Sequence, residues 1–210
     1  MKRPTSVKYF LGLILIIPLM VYSHPHSFIT LNTEFYIEDN QLTKLHFTWQ
    51  MDELTSSYLK LEYEQDPKVV FDDLMINIFE NHFFSEFWLK SIEKNKAIIL
   101  MPQEKDATLD FDDNKAVVNF WVKLKNPISI IDNQFELITY EKTFYVDMYY
   151  AKDNDITVNN ANCNIIIEKP TPDDKTLDYA QSLDNEDTPV ESDDFVLGKL
   201  FAQKVILSCK

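Results

Sequence analysis

The chain has 210 residues, a formal net charge of −14, two glycines and two cysteines. An acidic excess of this size argues against nucleic acid as a partner and suits a soluble surface. Two glycines exclude the glycine-rich loops that cradle phosphates.

Residues 1–23 have the three zones of a cleavable signal peptide. Lys2, Arg3 and Lys8 supply the positive start, Phe10 to Tyr22 an apolar run, and Val21 and Ser23 the small-residue cut region. The run is shorter than the roughly 17–25 residues of a bilayer span, so the expectation is export to the periplasm with no membrane span after cleavage. A cut after Ser23 makes His24 the first residue of the mature protein, and loss of the three cationic residues takes the net charge to −17. Residues 24–210 then suit a single β-rich domain.

Period-two alternation dominates the chain from Phe28 to Met51. Ile29, Leu31, Phe35 and Ile37 form one apolar face, and Leu45, Phe47, Trp49 and Met51 another, with turn residues at 39–41. Matching the two faces pairs Ile29 with Met51, Leu31 with Trp49 and Phe35 with Leu45 across a three-residue loop. The period then becomes helical. Leu54, Tyr58 and Leu61 share a face behind Asp52 as N-cap, and Phe71, Leu74, Met75, Ile78 and His82 form a second stripe after Pro67. Strands are expected at 97–101, 109–112, 116–124, 135–140, 144–149, 164–168 and 205–208, with a hairpin turn at Asp113-Asn114-Lys115. Residues 171–194 carry nine acidic residues against one Lys, and read as a mobile acidic loop with a short helix around Leu177, Tyr179, Ala180 and Leu183. A helical turn or two comes next, at 196–201. The sum is a mainly β fold with inserted helices (α+β), an antiparallel β-sandwich-like arrangement with two helices after the first hairpin. Cys163 and Cys209 form an even pair that an oxidising compartment would join as a disulfide.

No nucleophile–histidine motif, HExxH, CxxC or EF-hand loop occurs, so catalysis by those routes has no support in the sequence, and the expectation is a protein that is not an enzyme. The chemistry-bearing feature is His24-Pro25-His26. A terminal His offers its α-amine and its ring to one ion, and imidazole with amine suits nickel, cobalt, zinc or copper. Pro25 has no N–H, which blocks the square-planar mode that uses two deprotonated amides. The matched register sets Asp52 opposite Phe28 and diagonal to His26, as a ligand, a support for one, or simply a helix cap. The same register sets His46 against Glu34, far from His26, as a surface pair, while His82 is expected at the core edge. The bland alternative for His-Pro-His is a solvated lead into a strand.

Several stretches in order resemble a family of bacterial exported proteins, domain of unknown function 1007. They are the leader ending at His-Pro-His, Thr48-Trp49-Gln50-Met51-Asp52-Glu53, Tyr140 to Asp147, and Phe201-Ala202 through Cys209. The chain departs from the pattern at Glu141-Lys142, where that family more often has Asp-Pro. The resemblance implies a periplasmic component of a transport system, a metal-handling accessory to a membrane metal transporter. It adds Asp147 as a candidate ligand, on the polar face of its strand between Tyr145 and Tyr149, where an ordinary surface carboxylate is the alternative. The leading expectation is capture of a divalent transition metal at His24 and His26. The alternatives are a structural or docking module of an envelope complex, and a copper-dependent oxidase with an N-terminal His chelate.

Overall fold

A computed structural model describes residues 25–90, 95–183 and 195–210. The leader, His24 and residues 184–194 of the acidic segment lie outside the described residues. The first hairpin joins β1 (Ser27–Glu38) to β2 (Gln41–Met51). Helices α1 (Glu53–Tyr63) and α2 (Pro67–Glu80) come after it. Next come β3 (Ser85–Lys90), β4 (Asn95–Ala97), β5 (Leu100–Asp112), β6 (Lys115–Ser129), β7 (Gln134–Thr139), β8 (Val146–Tyr149), β9 (Ile156–Val158) and β10 (Cys163–Glu168). Helices α3 (Asp174–Ser182) and α4 (Leu197–Phe201) precede the last strand, β11 (Lys204–Cys209). No helix among the described residues is long and apolar enough to cross a membrane.

The strands make two sheets, ordered β5-β6-β2-β1-β8, with β9 also on β1, and β10-β11-β7-β3-β4. The fold is the mainly β, sandwich-like arrangement with helices that alternation implies. The ladders are antiparallel except that β8 and β9 run parallel to β1. One apolar core joins Leu31, Phe35, Leu45, Phe47, Trp49 and Phe120 of the first sheet to Phe87, Phe135, Leu137 and Leu207 of the second. Rings meet across the layers, with Phe35 and Phe87 centred 6.2 Å apart. A smaller apolar cluster of Phe144, Ala180, Leu183 and Leu197 fastens α3 and α4, and Phe144 stacks on Phe201 at 4.1 Å.

The register of β1 on β2 is the one that matches apolar faces: Ile29 opposes Met51, Leu31 Trp49 and Phe35 Leu45. The connection differs from the expected three-residue loop. Glu38 pairs with Gln41 across a two-residue Asp39-Asn40 turn, and a register shift at Tyr36/Ile37 absorbs the extra residue. Both turn residues have positive φ, which suits the twist of a tight hairpin and which Asp and Asn tolerate. Asp113-Asn114 repeats this arrangement, so Lys115 belongs to β6 rather than to the turn.

Two helical expectations are corrected. Leu54, Tyr58 and Leu61 are 63%, 65% and 59% exposed, so their shared face looks outward. The inner face of α1 carries Ser56, Leu59 and Tyr63. Buried Ser56 donates its hydroxyl to Met51 O at 3.3 Å and accepts the Ala116 N–H at 2.8 Å, so hydrogen bonds orient this helix. In α2 the stripe of Phe71, Leu74, Met75 and Ile78 does face the core, but it stops before His82. His82, Phe83 and Phe84 all have positive φ, and this reversal exposes His82 while burying Phe83 against Phe79 and Phe120. The two cysteines are joined in a disulfide, directly opposite one another across β10 and β11.

Candidate functional site

The three sequence-nominated residues within the described chain, His26, Asp52 and Asp147, belong to one end of the first sheet. Strand β1 begins there between β2 and β8. Phe28 pairs with Asp147 on β8, while Asp52 continues β2 by donating its N–H to Phe28 O at 2.9 Å. One residue earlier than β1, His26 donates its backbone N–H to Tyr145 O at 2.9 Å, and its ring lies 4.7 Å from the Tyr145 ring. Strand alternation puts His26 and Phe28 on the outer face with Tyr145 and Asp147, and turns Ser27 and Ile29 inward.

Asp52 is the fastening of this corner. Its Oδ1 accepts from Thr55 N at 2.9 Å, which is the helix N-cap bond the sequence suggests. Its Oδ2 accepts from Phe28 N at 2.9 Å, Ser27 Oγ at 3.0 Å and Thr55 Oγ1 at 2.7 Å. Partial burial pushes this carboxyl up, but the hydrogen bonds from Phe28, Thr55 and Ser27 outweigh it and hold the pKa down at about 2. Asp52 therefore ties the start of α1 to the residues directly after His26. Asp147 differs in kind: burial alone pushes its carboxyl up from the ordinary range.

The segment leading into β8 is braced by Glu141, which the motifs mark only as a departure from the family pattern. Glu141 accepts from Thr143 N at 3.0 Å, Thr143 Oγ1 at 2.7 Å and Tyr145 N at 2.9 Å. This carboxylate closes the turn that presents Tyr145 to His26. Gly198 packs on the same turn. Its N–H donates to Lys142 O at 2.9 Å, and a Cβ there would lie 1.7 Å from Glu141 O. In a chain with two glycines, Gly198 was a legible signal of close backbone approach.

The other histidines stand apart. His46 opposes Glu34, as matched faces imply, with Nδ1 3.5 Å from Oε1, and stacks on Trp121 at 4.4 Å. Among the described residues, no group of three or more His, Cys, Asp or Glu is arranged to hold a metal ion. The corner supplies His26 and Asp147 as possible donors. Both cysteines are oxidised, and Asp52 is engaged in four hydrogen bonds.

Comparison with known proteins agrees with the resemblance seen in the motifs. Residues 9–209 match the family described as protein of unknown function (DUF1007). An uncharacterized protein of Haemophilus influenzae is 35% identical over 209 residues, covering 96% of this chain and 98% of the relative. On the extent of both matches, the chain belongs to the DUF1007 family.

Proposed function

We propose that this is a periplasmic binding protein, not an enzyme, that captures a divalent transition metal for a membrane metal transporter. Removal of residues 1–23 would free the His24 amine. That amine, the His24 ring and the His26 ring would hold nickel, cobalt, zinc or copper as cargo, with Asp147 completing the set. The observation that carries the reading is the shared outer face of His26 and Asp147 on the neighbouring starts of β1 and β8. Diagonal neighbours on adjacent strands lie roughly 7–8 Å apart, within reach of one ion for long side chains. In this reading Asp52 is a positioning residue, because it pins Ser27 and Phe28 directly after His26.

The test is calorimetric titration of Ni, Co, Zn and Cu ions into protein that begins at His24. One saturable site is expected. Its affinity falls at least tenfold in His26→Ala, in Asp147→Asn, and when one glycine is added ahead of His24 to displace the amine. Acidification weakens it, because ligation needs unprotonated amine and imidazole. Equal affinity in the His26→Ala and glycine-extended proteins overturns the reading.

A further inference from the structure

Beneath the corner that holds His26 and Asp147, a cavity of about 370 Å³ opens between α2 and the ends of β1, β2 and β8. Its walls are mainly apolar, with Ile29 and Met51 from the first hairpin, Leu74 and Ile78 from α2, and Val146 and Met148 from β8, and polar groups are interspersed among them. Trp49 also borders it. That side chain is 1% exposed, and its Nε1 has no hydrogen-bond partner among the described residues. A buried indole N–H without an acceptor costs free energy, and native proteins rarely leave one so.

None of the polar residues that line the cavity (Ser27, Thr55, Asn77, Asn81 and Glu141) is hydrogen-bonded to that N–H. The Glu141 carboxylate takes hydrogen bonds from Thr143 and Tyr145. Asn77 Oδ1 takes one from Asn81 Nδ2 at 2.7 Å. The Ser27 and Thr55 hydroxyls gather on the Asp52 carboxylate. The cavity falls at the small end of the roughly 300–1,000 Å³ typical of organic ligand sites, and it has their mainly apolar lining with a few polar groups, among them the unpartnered Trp49 N–H. Glu141 at its edge and the acidic chain as a whole disfavour an anion.

From these features we infer that the cavity is a binding site for a small uncharged organic molecule with an apolar body and one carbonyl-type acceptor, which takes the Trp49 indole N–H. The site is separate from the proposed metal ligands His26 and Asp147, neither of which lines it. It therefore stands or falls independently of metal binding.

The test monitors the indole N–H signals of 15N-labelled protein by NMR during titration with acetophenone and with ethylbenzene, which has a similar apolar body and no acceptor. Trp88 and Trp121 serve as internal controls, and triple-resonance assignment identifies Trp49 without any variant. Acetophenone is expected to move the Trp49 indole N–H downfield in a saturable way. Ethylbenzene is expected to bind at least tenfold more weakly, and Ile78→Phe, which fills the cavity, to weaken acetophenone by a similar factor. Three results would each overturn the inference: no saturable shift at Trp49, equal binding of the two probes, or a shift unaffected by Ile78→Phe.

Discussion

Asp52 accepts four hydrogen bonds with one carboxylate, and a helix cap needs only the one from Thr55 N. Of the other three, those from Ser27 and Phe28 bind β1 to the start of α1, and the one from the Thr55 hydroxyl lies within the first turn of α1. Asp52→Ala leaves those donors without an acceptor and removes the cap, so unfolding in urea should show a loss of about 1–2 kcal/mol. The pH dependence has a definite sign. The folded-state pKa, about 2, lies below the ordinary 3.8, so the stabilisation is complete above about pH 4 and is lost as pH falls toward 2. Denaturation measured from pH 5 to 2 should therefore show an acid-sensitive component that Asp52→Asn removes. Gly198 is constrained by space instead. A Cβ 1.7 Å from Glu141 O cannot be accommodated unless the 141–145 turn moves, so Gly198→Ala should cost about 1–3 kcal/mol in thermal or urea unfolding. The same substitution shifts the turn that holds Tyr145 beside His26.

Among the elements, α1 tests whether apolar periodicity or hydrogen bonding orients a helix. Its most apolar face, Leu54, Tyr58 and Leu61, is turned to solvent, while buried Ser56 bridges Met51 O and Ala116 N. Ser56→Ala strands the Ala116 N–H and should cost about 1–3 kcal/mol. Tyr58→Gln should stay within about 0.5 kcal/mol, and urea unfolding of the two variants compares them directly. This inversion explains where the sequence was legible. The β1–β2 register could be read because two apolar faces have to coincide, and a slip of one residue would set Ile29 against Gln50. The α2 stripe could be read because Leu74, Met75 and Ile78 face the core without competition from polar contacts. The orientation of α1 could not, since a hydrogen bond between its serine and a strand 60 residues away decides it. Strand β3 was missed for a local reason: it comes after three consecutive residues of positive φ, a reversal that no glycine marks.

On the scale of the whole molecule, the pieces of the candidate site come from distant parts of the chain. His26, Asp52 and Asp147 were each nameable from motif and alternation, but their common corner depends on β8 lying parallel to β1, a pairing that local pattern does not encode. The cavity bordered by Trp49 was invisible for the same reason, because its walls come from β1, β2, α2 and β8. In the second sheet the disulfide staples β10 to β11, closing a separation of 46 residues. Reduction, or Cys163→Ser with Cys209→Ser, should lower stability by roughly 2–4 kcal/mol, measured as a shift of the urea midpoint. The metal-binding corner proposed above β8 belongs to the other sheet, so metal affinity should survive that change.

The parallel seating of β8 and β9 on β1 also governs how the chain reaches its fold. The first strand to be made is an interior strand of its sheet, yet two of its neighbours are more than a hundred residues downstream. Its hydrogen-bonding edge stays open until the chain through Val158 is available. Non-local closure of this kind belongs to the slow end of folding, milliseconds to seconds rather than microseconds. Until then β1 has only its hairpin partner β2 to pair with, so completion of the first sheet waits for most of the chain.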